Sequence, residues 1–252
     1  MSDPRFLRAS RVIAALQAPV VVPQARRLRR RTPHLPDAAQ PWRGELAGGD
    51  PLRLLVLGDS TAAGVGVTTQ LDGLPGRLAI ALNQRLGRGI AWRAVGENGA
   101  TTRDLLDRFI DDAFAEPFDL MFLSIGANDA LGVRSAAAFA RDLRRILNLA
   151  ARAQPDATVL VSSLPVFGRF ELLPEPLRGA LFRHARNLER AGRAVTASDP
   201  HWIMSTQPPP YADGFFADDE FHPSAIGYRD WADWAVSDAW DRGLNRIEGA
   251  SS

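Results

Sequence analysis

The first segment of the chain that could do acyl-transfer chemistry centres on a serine. An apolar run at residues 52–57 is followed directly by Gly58, Asp59 and Ser60. A serine in the turn after a buried strand presents its hydroxyl at the carboxyl edge of a sheet, with its backbone N–H near the start of a helix. Both features favour attack on a carbonyl carbon. Gly-Asp-Ser is also a common turn sequence, and no Gly-Lys-Ser/Thr motif follows it, so nucleotide binding is not indicated.

A candidate general base lies near the other end of the chain. Asp219 precedes His222 by three residues, directly before a predicted helix. At this spacing the carboxylate can accept a hydrogen bond from one ring nitrogen, which leaves the other nitrogen to face a nucleophile. Aspartate and histidine are also metal ligands, but we predict no metal site because the remaining histidines are scattered along the chain: His34, His184 and His201.

Two further segments could supply hydrogen-bond donors to a negatively charged oxygen. Gly99 lies just before a predicted helix, where a glycine can aim its N–H at an anion, although Gly96 is a nearby competitor. Asn128 follows a third apolar run, and its uncharged amide can donate without acting as a base. Each segment taken alone is also explained by an ordinary loop, a helix cap or an Asx turn.

These residues need a scaffold in which strand ends come together. Apolar runs predict strands at 52–57, 90–95, 118–125 and 158–163, with a short strand at 201–205. Helical spacing predicts helices at 76–86, 101–110, 135–153 and 177–197, and a last helix from Pro223 onward. The alternation predicts a mostly parallel sheet covered by helices on both faces. Ligands bind such sheets beyond the carboxyl ends of the strands, where three of the four candidate segments lie.

The amino-acid composition excludes several kinds of catalytic mechanism. The 252 residues fit one α/β domain, and 46% hydrophobic with 23% charged residues is an ordinary globular balance. The chain has no cysteine, which excludes a cysteine nucleophile and thiolate metal sites. All 30 basic residues are arginine, so a lysine Schiff base is excluded as well.

The amino-terminal segment differs from the rest. Residues 1–50 carry nine arginines against four acids, whereas the remainder is mildly acidic, so we expect no nucleic-acid partner for the body of the protein. Residues 12–22 are largely apolar but too short to span a bilayer, and Pro19 would interrupt a long helix there. An arginine cluster at 26–31 follows, which argues against a cleaved signal peptide.

Two interpretations of this segment stay open. Residues 1–31 could associate peripherally with a membrane, or they could pack on the domain with their arginines in water. We expect a basic segment and Pro/Gly-rich linker at 1–50, with the linker at 32–51. The predicted domain covers 51–240 and the carboxyl-terminal tail 241–252. The expected location is cytoplasmic, with peripheral association at the inner membrane face as one interpretation.

Together the four segments resemble the SGNH (GDSL-like) hydrolase family across residues 52–238. The motifs that carry the resemblance appear in the family's order: Gly58-Asp59-Ser60, Gly99, Gly126-x-Asn128-Asp129 and Asp219-x-x-His222. The resemblance implies a flavodoxin-like three-layer α/β/α sandwich. One departure is Thr61, since the family's serine is usually followed by leucine.

The resemblance also implies a role for each site residue. Ser60 is the expected nucleophile, His222 its general base and Asp219 the partner that orients the base. The backbone N–H groups of Ser60 and Gly99 and the side-chain amide of Asn128 are the expected oxyanion hole. No metal or cofactor is implied.

The implied activity is hydrolysis of carboxylic esters through an acyl-enzyme, on short- to medium-chain acyl esters or lipids. Residues 165–174, just after the fourth strand, could line an acyl pocket with their aromatic and leucine side chains. A carbohydrate O-acetyl esterase using the same site is one alternative, and a non-catalytic membrane-associated binding protein is another.

Overall fold

A mixed sheet lies at the centre of the protein, in a computed structural model that describes residues 9–248. Its strands in chain order are β1 (Arg43–Leu46), β2 (Leu52–Gly58), β3 (Ile90–Gly96), β4 (Leu120–Ser124), β5 (Thr158–Val161) and β6 (Trp202–Met204). Their spatial order is β1-β3-β2-β4-β5-β6. Strand β1 is antiparallel to β3, and the other neighbouring pairs are parallel.

Helices connect the strands and cover both faces. They are α1 (Ser10–Arg31), α2 (Leu74–Leu86), α3, α4 (Ala127–Leu131), α5 (Ala136–Ala153), α6 (Leu177–Thr196) and α7 (Ala225–Trp240). Helix α3 consists of Thr102–Asp104, a π-helical turn at Leu105–Phe109, and Ile110–Ala113. Short 3₁₀ helices occur at Phe167–Arg169 and Leu244–Glu248.

Side-chain alternation along the strands builds a core on each face. In β2, Leu55 and Leu57 point to the face covered by α3, α5 and α6, whereas Leu54 and Val56 point to the face covered by α2 and α7. All four side chains are buried, as expected for a parallel sheet between two helical layers. The predicted three-layer α/β/α sandwich is confirmed.

The strand order creates a crevice at the end of β2. The chain runs from β2 to its neighbour β3 on one side, then crosses to β4 on the other side. Connections that leave a strand in opposite directions open a gap beyond its carboxyl end, and ligands bind there in doubly wound folds. Ser60 follows β2, Gly99 follows β3 and Asn128 follows β4, so the topology brings these segments to one edge.

The linker predicted at 32–51 needs correction. It contains β1, which pairs with β3 at the sheet edge, and its Ala38 is buried and donates its N–H to the Ala63 carbonyl at 2.9 Å. A four-residue edge strand with exposed charges and a glycine gives little periodic signal, so composition alone favoured a linker.

The predicted tail at 241–252 is corrected in the same way. Leu244 and Ile247 are buried in the core on the α2 and α7 face, so the domain extends at least to this short helix. Residues 1–8 of the basic segment and 249–252 of the tail lie outside the described residues.

Helix α1 also departs from expectation. It continues through both Pro19 and Pro23, so the predicted interruption at Pro19 is wrong. One face of the helix packs against α6, with Val21 buried in the core that α6 shares. These tertiary contacts compensate for the backbone hydrogen bonds that the prolines cannot donate. Between Ser10 and Glu248, no helix has the length and apolar character needed to cross a bilayer. The cytoplasmic location stays a prediction.

Candidate active site

Ser60 lies in the tight turn that leaves β2. The turn is tied to neighbouring β4, because the Asp59 N–H donates to the Ser124 carbonyl at 3.1 Å. Thr61 Oγ1 donates to Ser124 Oγ at 2.7 Å, and its N–H donates to Asp59 Oδ1 at 3.2 Å. The threonine that departs from the family pattern therefore uses its hydroxyl to fix the turn, which a leucine could not do. Ser60 is 7% exposed.

The turn is held against the segment that carries the histidine. Gly66 has φ +103°, and a Cβ there would lie 2.3 Å from the Pro223 carbonyl oxygen, so only glycine permits this approach. Tyr228 of α7 is buried and donates its hydroxyl to the Val65 carbonyl at 2.7 Å. These two contacts position Ser60 and His222 relative to each other.

Asp219 and His222 form a hydrogen-bonded pair. Asp219 Oδ2 lies 2.5 Å from His222 Nδ1, while Oδ1 accepts the N–H groups of His222 at 2.9 Å and Phe221 at 3.0 Å. A carboxylate partner places the proton on Nδ1, so Nε2 is left as the basic nitrogen. Burial would raise the Asp219 pKa, but the hydrogen bonds from His222 and Phe221 outweigh it and hold that pKa below its ordinary value. Asp219 therefore stays ionised across the neutral range.

Ser60 and His222 line the same cavity. Within residues 9–248 the structure contains no hydrogen bond between Ser60 Oγ and the His222 ring. Catalytic hydrogen bonds are often long or poorly aligned before substrate binds. The arrangement brings a hydroxyl, a basic nitrogen and an ionised carboxylate together at the crevice.

Three candidate donors lie on the segments that follow β2, β3 and β4, although only Ser60 of the three is among the residues that line the cavity. In the part of the chain that the structure describes, the backbone N–H groups of Ser60 and Gly99 have no hydrogen-bond partner. Asn128 Nδ2 donates to the Ala100 carbonyl at 3.0 Å and lies 3.5 Å from Asp59 Oδ2, which is at the outer limit of a hydrogen bond. One amide hydrogen is thus firmly bound, and the other has only a weak acceptor.

The structure distinguishes between Gly99 and Gly96 as candidates for the oxyanion donor. A Cβ on Gly96 would lie 1.9 Å from the Gly58 carbonyl oxygen, so this glycine is needed where β3 passes β2. A Cβ on Gly99 would meet nothing within 4 Å, and its φ of +89° turns the backbone toward open space. Gly96 has a packing role, while Gly99 is free to face a ligand.

A buried charge network holds the Gly99 loop against the Asn128 helix. Asp129 is fully buried and accepts the Thr102 N–H at 3.0 Å and hydroxyl at 2.7 Å. Arg134 donates to Asp129 Oδ1 at 2.5 Å and to Asp142 Oδ2 at 2.6 Å. Because Thr102 and Asp129 each lie within three residues of a candidate donor, the network sets the distance between the two donor segments.

Asp59 is a buried acid, and no sequence pattern indicated that its pKa would be shifted. Burial raises the pKa of Asp59 to about 6. Hydrogen bonds from Thr61 and the electrostatic influence of the nearby His222 act to lower this pKa, but burial outweighs them. Its Oδ2 faces the Asn128 amide. The protonation state of this carboxyl therefore changes close to the candidate oxyanion site.

One part of the cavity wall is a cluster of aromatic side chains. Phe170 lies at its centre, with ring centroids 5.0 Å from Phe216, 5.5 Å from Phe221 and 5.7 Å from Tyr211. Of the predicted 165–174 lining, Pro165 and Phe170 do face the cavity. The leucines of that segment do not line it, and Leu173 is buried in the core.

The rest of this aromatic cluster, which no sequence motif indicated, is formed by residues after β6: Pro209, Tyr211, Phe215 and Phe216. Its signal was the density of proline and aromatic residues at 208–216, which is typical of a rigid, apolar loop. Between Ala9 and Glu248, no three His, Asp or Glu side chains converge into a potential metal site.

Comparison with known proteins identifies the family. A model of the GDSL-like lipase/acylhydrolase family matches residues 56–229, which is well over half of the chain. The chain belongs to this family. The resemblance predicted from the four motifs is confirmed.

A curated relative within the GDSL-like family is the GDSL-like esterase Rv1075c of Mycobacterium tuberculosis. It is 29% identical over 202 residues, which are 75% of this chain and 61% of that protein. The chain thus spans less than two thirds of the length of this relative.

Solved structures with low sequence identity share the fold. A family 3 carbohydrate esterase of Clostridium thermocellum is 17% identical with a TM-score of 0.61, covering 79% of this chain and all of that one. A lipase/acylhydrolase of Enterococcus faecalis is 21% identical with a TM-score of 0.58, covering 76% and 96%. At these identities the likeness is one of fold.

Proposed function

We propose that this GDSL-like protein is a serine esterase that hydrolyses carboxylic esters, with Ser60 as nucleophile and His222 as general base. The observation that carries the proposal is the hydrogen bond from His222 Nδ1 to Asp219 Oδ2 at 2.5 Å, beside a cavity that Ser60 and His222 line together. A histidine oriented in this way can activate a weak hydroxyl nucleophile.

In the first half-reaction, Ser60 Oγ bonds to the ester carbonyl carbon while its proton passes to His222 Nε2. Asp219 stabilises the imidazolium that forms but takes no proton itself. The tetrahedral intermediate then collapses, the bond to the alcohol oxygen breaks, and His222 returns its proton to the leaving alcohol. The product of this half-reaction is an acyl-serine.

In the second half-reaction, water attacks the acyl-serine with His222 again as base. The acid leaves, and Ser60 regains its proton. In both halves the oxyanion would accept from the N–H of Ser60, the N–H of Gly99 and the amide of Asn128. Donors aimed at the developing charge are often the largest single contribution to such catalysis.

The cavity supports a short to medium acyl group as the preferred substrate. Its volume is about 70 Å³. A water-sized group needs about 10–15 Å³ on this measure, so about five to seven such groups fit. The aromatic wall favours an apolar acyl chain, while the alcohol part would extend into the open crevice.

A carbohydrate O-acetyl esterase is the second candidate, because an acetyl group also fits this small cavity and Ser162 and Ser163 add hydroxyls to its wall. Measuring kcat/KM on acetylated sugars beside p-nitrophenyl acetate, butyrate and octanoate separates the two. A clear preference for butyrate over acetylated sugars supports the acyl-ester proposal, and the reverse order supports the carbohydrate one.

The serine mechanism is tested by substitution. Ser60→Ala is expected to lose nearly all hydrolysis of p-nitrophenyl acetate while keeping its fold, measured by circular dichroism. Ser237→Ala removes an exposed hydroxyl on α7 and serves as the matched control. If folded Ser60→Ala hydrolyses the ester at the parent rate, the mechanism is wrong. If the parent protein hydrolyses no ester in the panel, the non-catalytic binding alternative is favoured instead.

A further inference from the structure

Helix α1 presents an apolar face to solvent. Val12, Leu16 and Val20 are 63%, 78% and 51% exposed, and they follow one another at four-residue intervals. At 3.6 residues per turn this spacing places them along one side of the helix. Large exposed aliphatic side chains that form a stripe indicate a binding surface, whereas scattered ones are ordinary.

The opposite side of α1 is fixed to the domain. Ser10 Oγ lies 2.9 Å from Nδ1 of the buried His184, and Gln24 Nε2 donates to the Glu175 carbonyl at 2.7 Å. Val21, between them, is buried in the core. Because these contacts hold the helix at its first residue and in its second half, the apolar stripe points outward in the folded protein.

Toward the carboxyl end of α1, arginines occupy the side of the helix that faces solvent. Arg26, Arg27 and Arg30 are exposed and border a shallow depression around Pro23. Among residues 9–248 none of the three forms an ion pair, whereas exposed arginines such as Arg43, Arg103 and Arg229 do. Helix α1 itself contains no acidic residue. We call these residues the α1 outer face: Val12, Leu16, Val20, Arg26, Arg27 and Arg30.

We propose that the α1 outer face docks on an anionic lipid surface. Aliphatic side chains beside unpaired arginines match the two layers of such a surface, acyl chains below and phosphate groups above. The depression around Pro23 gives a phosphate group access to these three guanidinium groups and to that of Arg31. A second copy of this face would supply no acidic side chain to those arginines, whereas an anionic lipid would supply a negatively charged phosphate group.

Helix α1 contacts the stretch of chain that continues from one part of the cavity wall. Gln24 contacts Glu175 and also accepts the Leu177 N–H at 3.3 Å, directly after the segment that contributes Pro165 and Phe170 to the cavity. Docking through α1 would therefore bring that wall near a lipid surface. The proposal is independent of the esterase proposal, since adhesion needs no catalysis.

The test is sedimentation of the full-length protein with lipid vesicles. Vesicles of phosphatidylcholine alone are compared with vesicles that contain phosphatidylglycerol, at low and at high salt. One variant replaces the stripe (Val12→Ser, Leu16→Ser and Val20→Ser), and a second replaces the charges (Arg26→Gln, Arg27→Gln and Arg30→Gln). The matched control replaces three exposed arginines of α5: Arg144→Gln, Arg145→Gln and Arg152→Gln.

The full-length protein is expected to bind anionic vesicles at low salt and to be released at high salt. Each α1 variant is expected to bind at least about tenfold more weakly, while the α5 control binds like the parent. Hydrolysis of a soluble short-chain ester is expected to be unchanged in all three, which shows that they fold. If the α1 variants misfold, Leu16→Ser alone replaces them.

Three results would overturn the proposal. The first is parent protein that stays in the supernatant with anionic vesicles at low salt. The second is equal binding to neutral and anionic vesicles, or equal loss in the α5 control. The third is a stripe variant that changes the sedimentation coefficient of the protein without lipid, because the face would then join two copies of the chain. Loss of ester hydrolysis by Ser60→Ala with vesicle binding intact separates this proposal from the catalytic one.

Discussion

Asp219 holds His222 through both the ring and the backbone: one carboxylate oxygen accepts from Nδ1 at 2.5 Å, and the other accepts the His222 N–H at 2.9 Å. The side chain is 2% exposed, so water does not compete for these hydrogen bonds. The orientation of the imidazole is therefore fixed before a substrate arrives, and Nε2 is directed away from the carboxylate.

Replacing Asp219 by asparagine is predicted to damage turnover more than substrate binding. The amide cannot stabilise an imidazolium and favours the wrong tautomer, so kcat is expected to fall on the order of 10⁴-fold with little change in KM. Steady-state kinetics measure both constants. Asp218→Asn changes the neighbouring exposed acid and is expected to match the parent. An Asp219→Asn enzyme with parental kcat would remove Asp219 from the mechanism.

Removing the Asn128 amide is predicted to slow the chemical step. Loss of one oxyanion donor typically costs on the order of 10²–10³ in kcat, so Asn128→Ala is expected to lose about as much in kcat as in kcat/KM. The matched control is Asn148→Ala, on the exposed side of α5. If kcat of Asn128→Ala equals that of the control, the amide does not contact the oxyanion.

Alanine substitutions of the two glycines near the end of β3 are predicted to have different effects, one on stability and the other on turnover. Gly96→Ala would push a methyl group to 1.9 Å from the Gly58 carbonyl, so the protein is expected to lose much of its thermal stability. Gly99→Ala meets no atom and costs only about 1–2 kcal/mol for its left-handed backbone, but it is expected to lower kcat. Thermal unfolding and kinetics on both variants check this. A stable, active Gly96→Ala beside an unfolded Gly99→Ala would reverse the assignment.

Asp59 is predicted to make stability depend on pH. Because burial raises its pKa to about 6 in the folded protein, the folded state holds the proton more tightly than the unfolded state. The free energy of unfolding should then fall as pH rises from about 4 to about 6. A difference of about two pKa units corresponds to up to about 3 kcal/mol.

Asp59→Asn removes this titration and keeps a side chain of the same shape. Relative to the parent, the variant is expected to gain stability between pH 4 and pH 7, measured by urea unfolding at several pH values. Asp218→Asn is the surface control. A parent-to-variant difference that is the same at every pH would show that Asp59 does not ionise within this range.

Much of the fold could be predicted because its signals are local. The strand at 52–57 is a run of apolar residues that ends at a glycine, and the helix at 135–153 has helical spacing and a serine cap, so both were found close to their observed bounds. Strand β1 was not found, because its pairing with β3 is a tertiary contact and Arg43–Leu46 has no apolar run. The course of α1 through two prolines depends likewise on its packing against α6.

The candidate site likewise has one part that local sequence motifs predict and another part that only the tertiary fold determines. The candidate residues could be named from motif order, and the topology then placed their segments at one edge. The aromatic wall after β6 could not be predicted, since Tyr211 and Phe216 reach Phe170 only through the tertiary fold. The raised pKa of Asp59 and the separate roles of Gly96 and Gly99 depend on burial and on single backbone distances, which no sequence pattern encodes.

The central claim is that Ser60 is an activated nucleophile, and covalent labelling tests it most directly. Purified protein is treated with an organophosphonate probe, and the adduct is located by mass spectrometry of the digested protein, with Ser60→Ala and Asp219→Asn treated in parallel. The account predicts stoichiometric modification of Ser60, slower modification in Asp219→Asn and none in Ser60→Ala. Folded parent protein that stays unmodified, or that is modified at another residue while Ser60 is free, would contradict it.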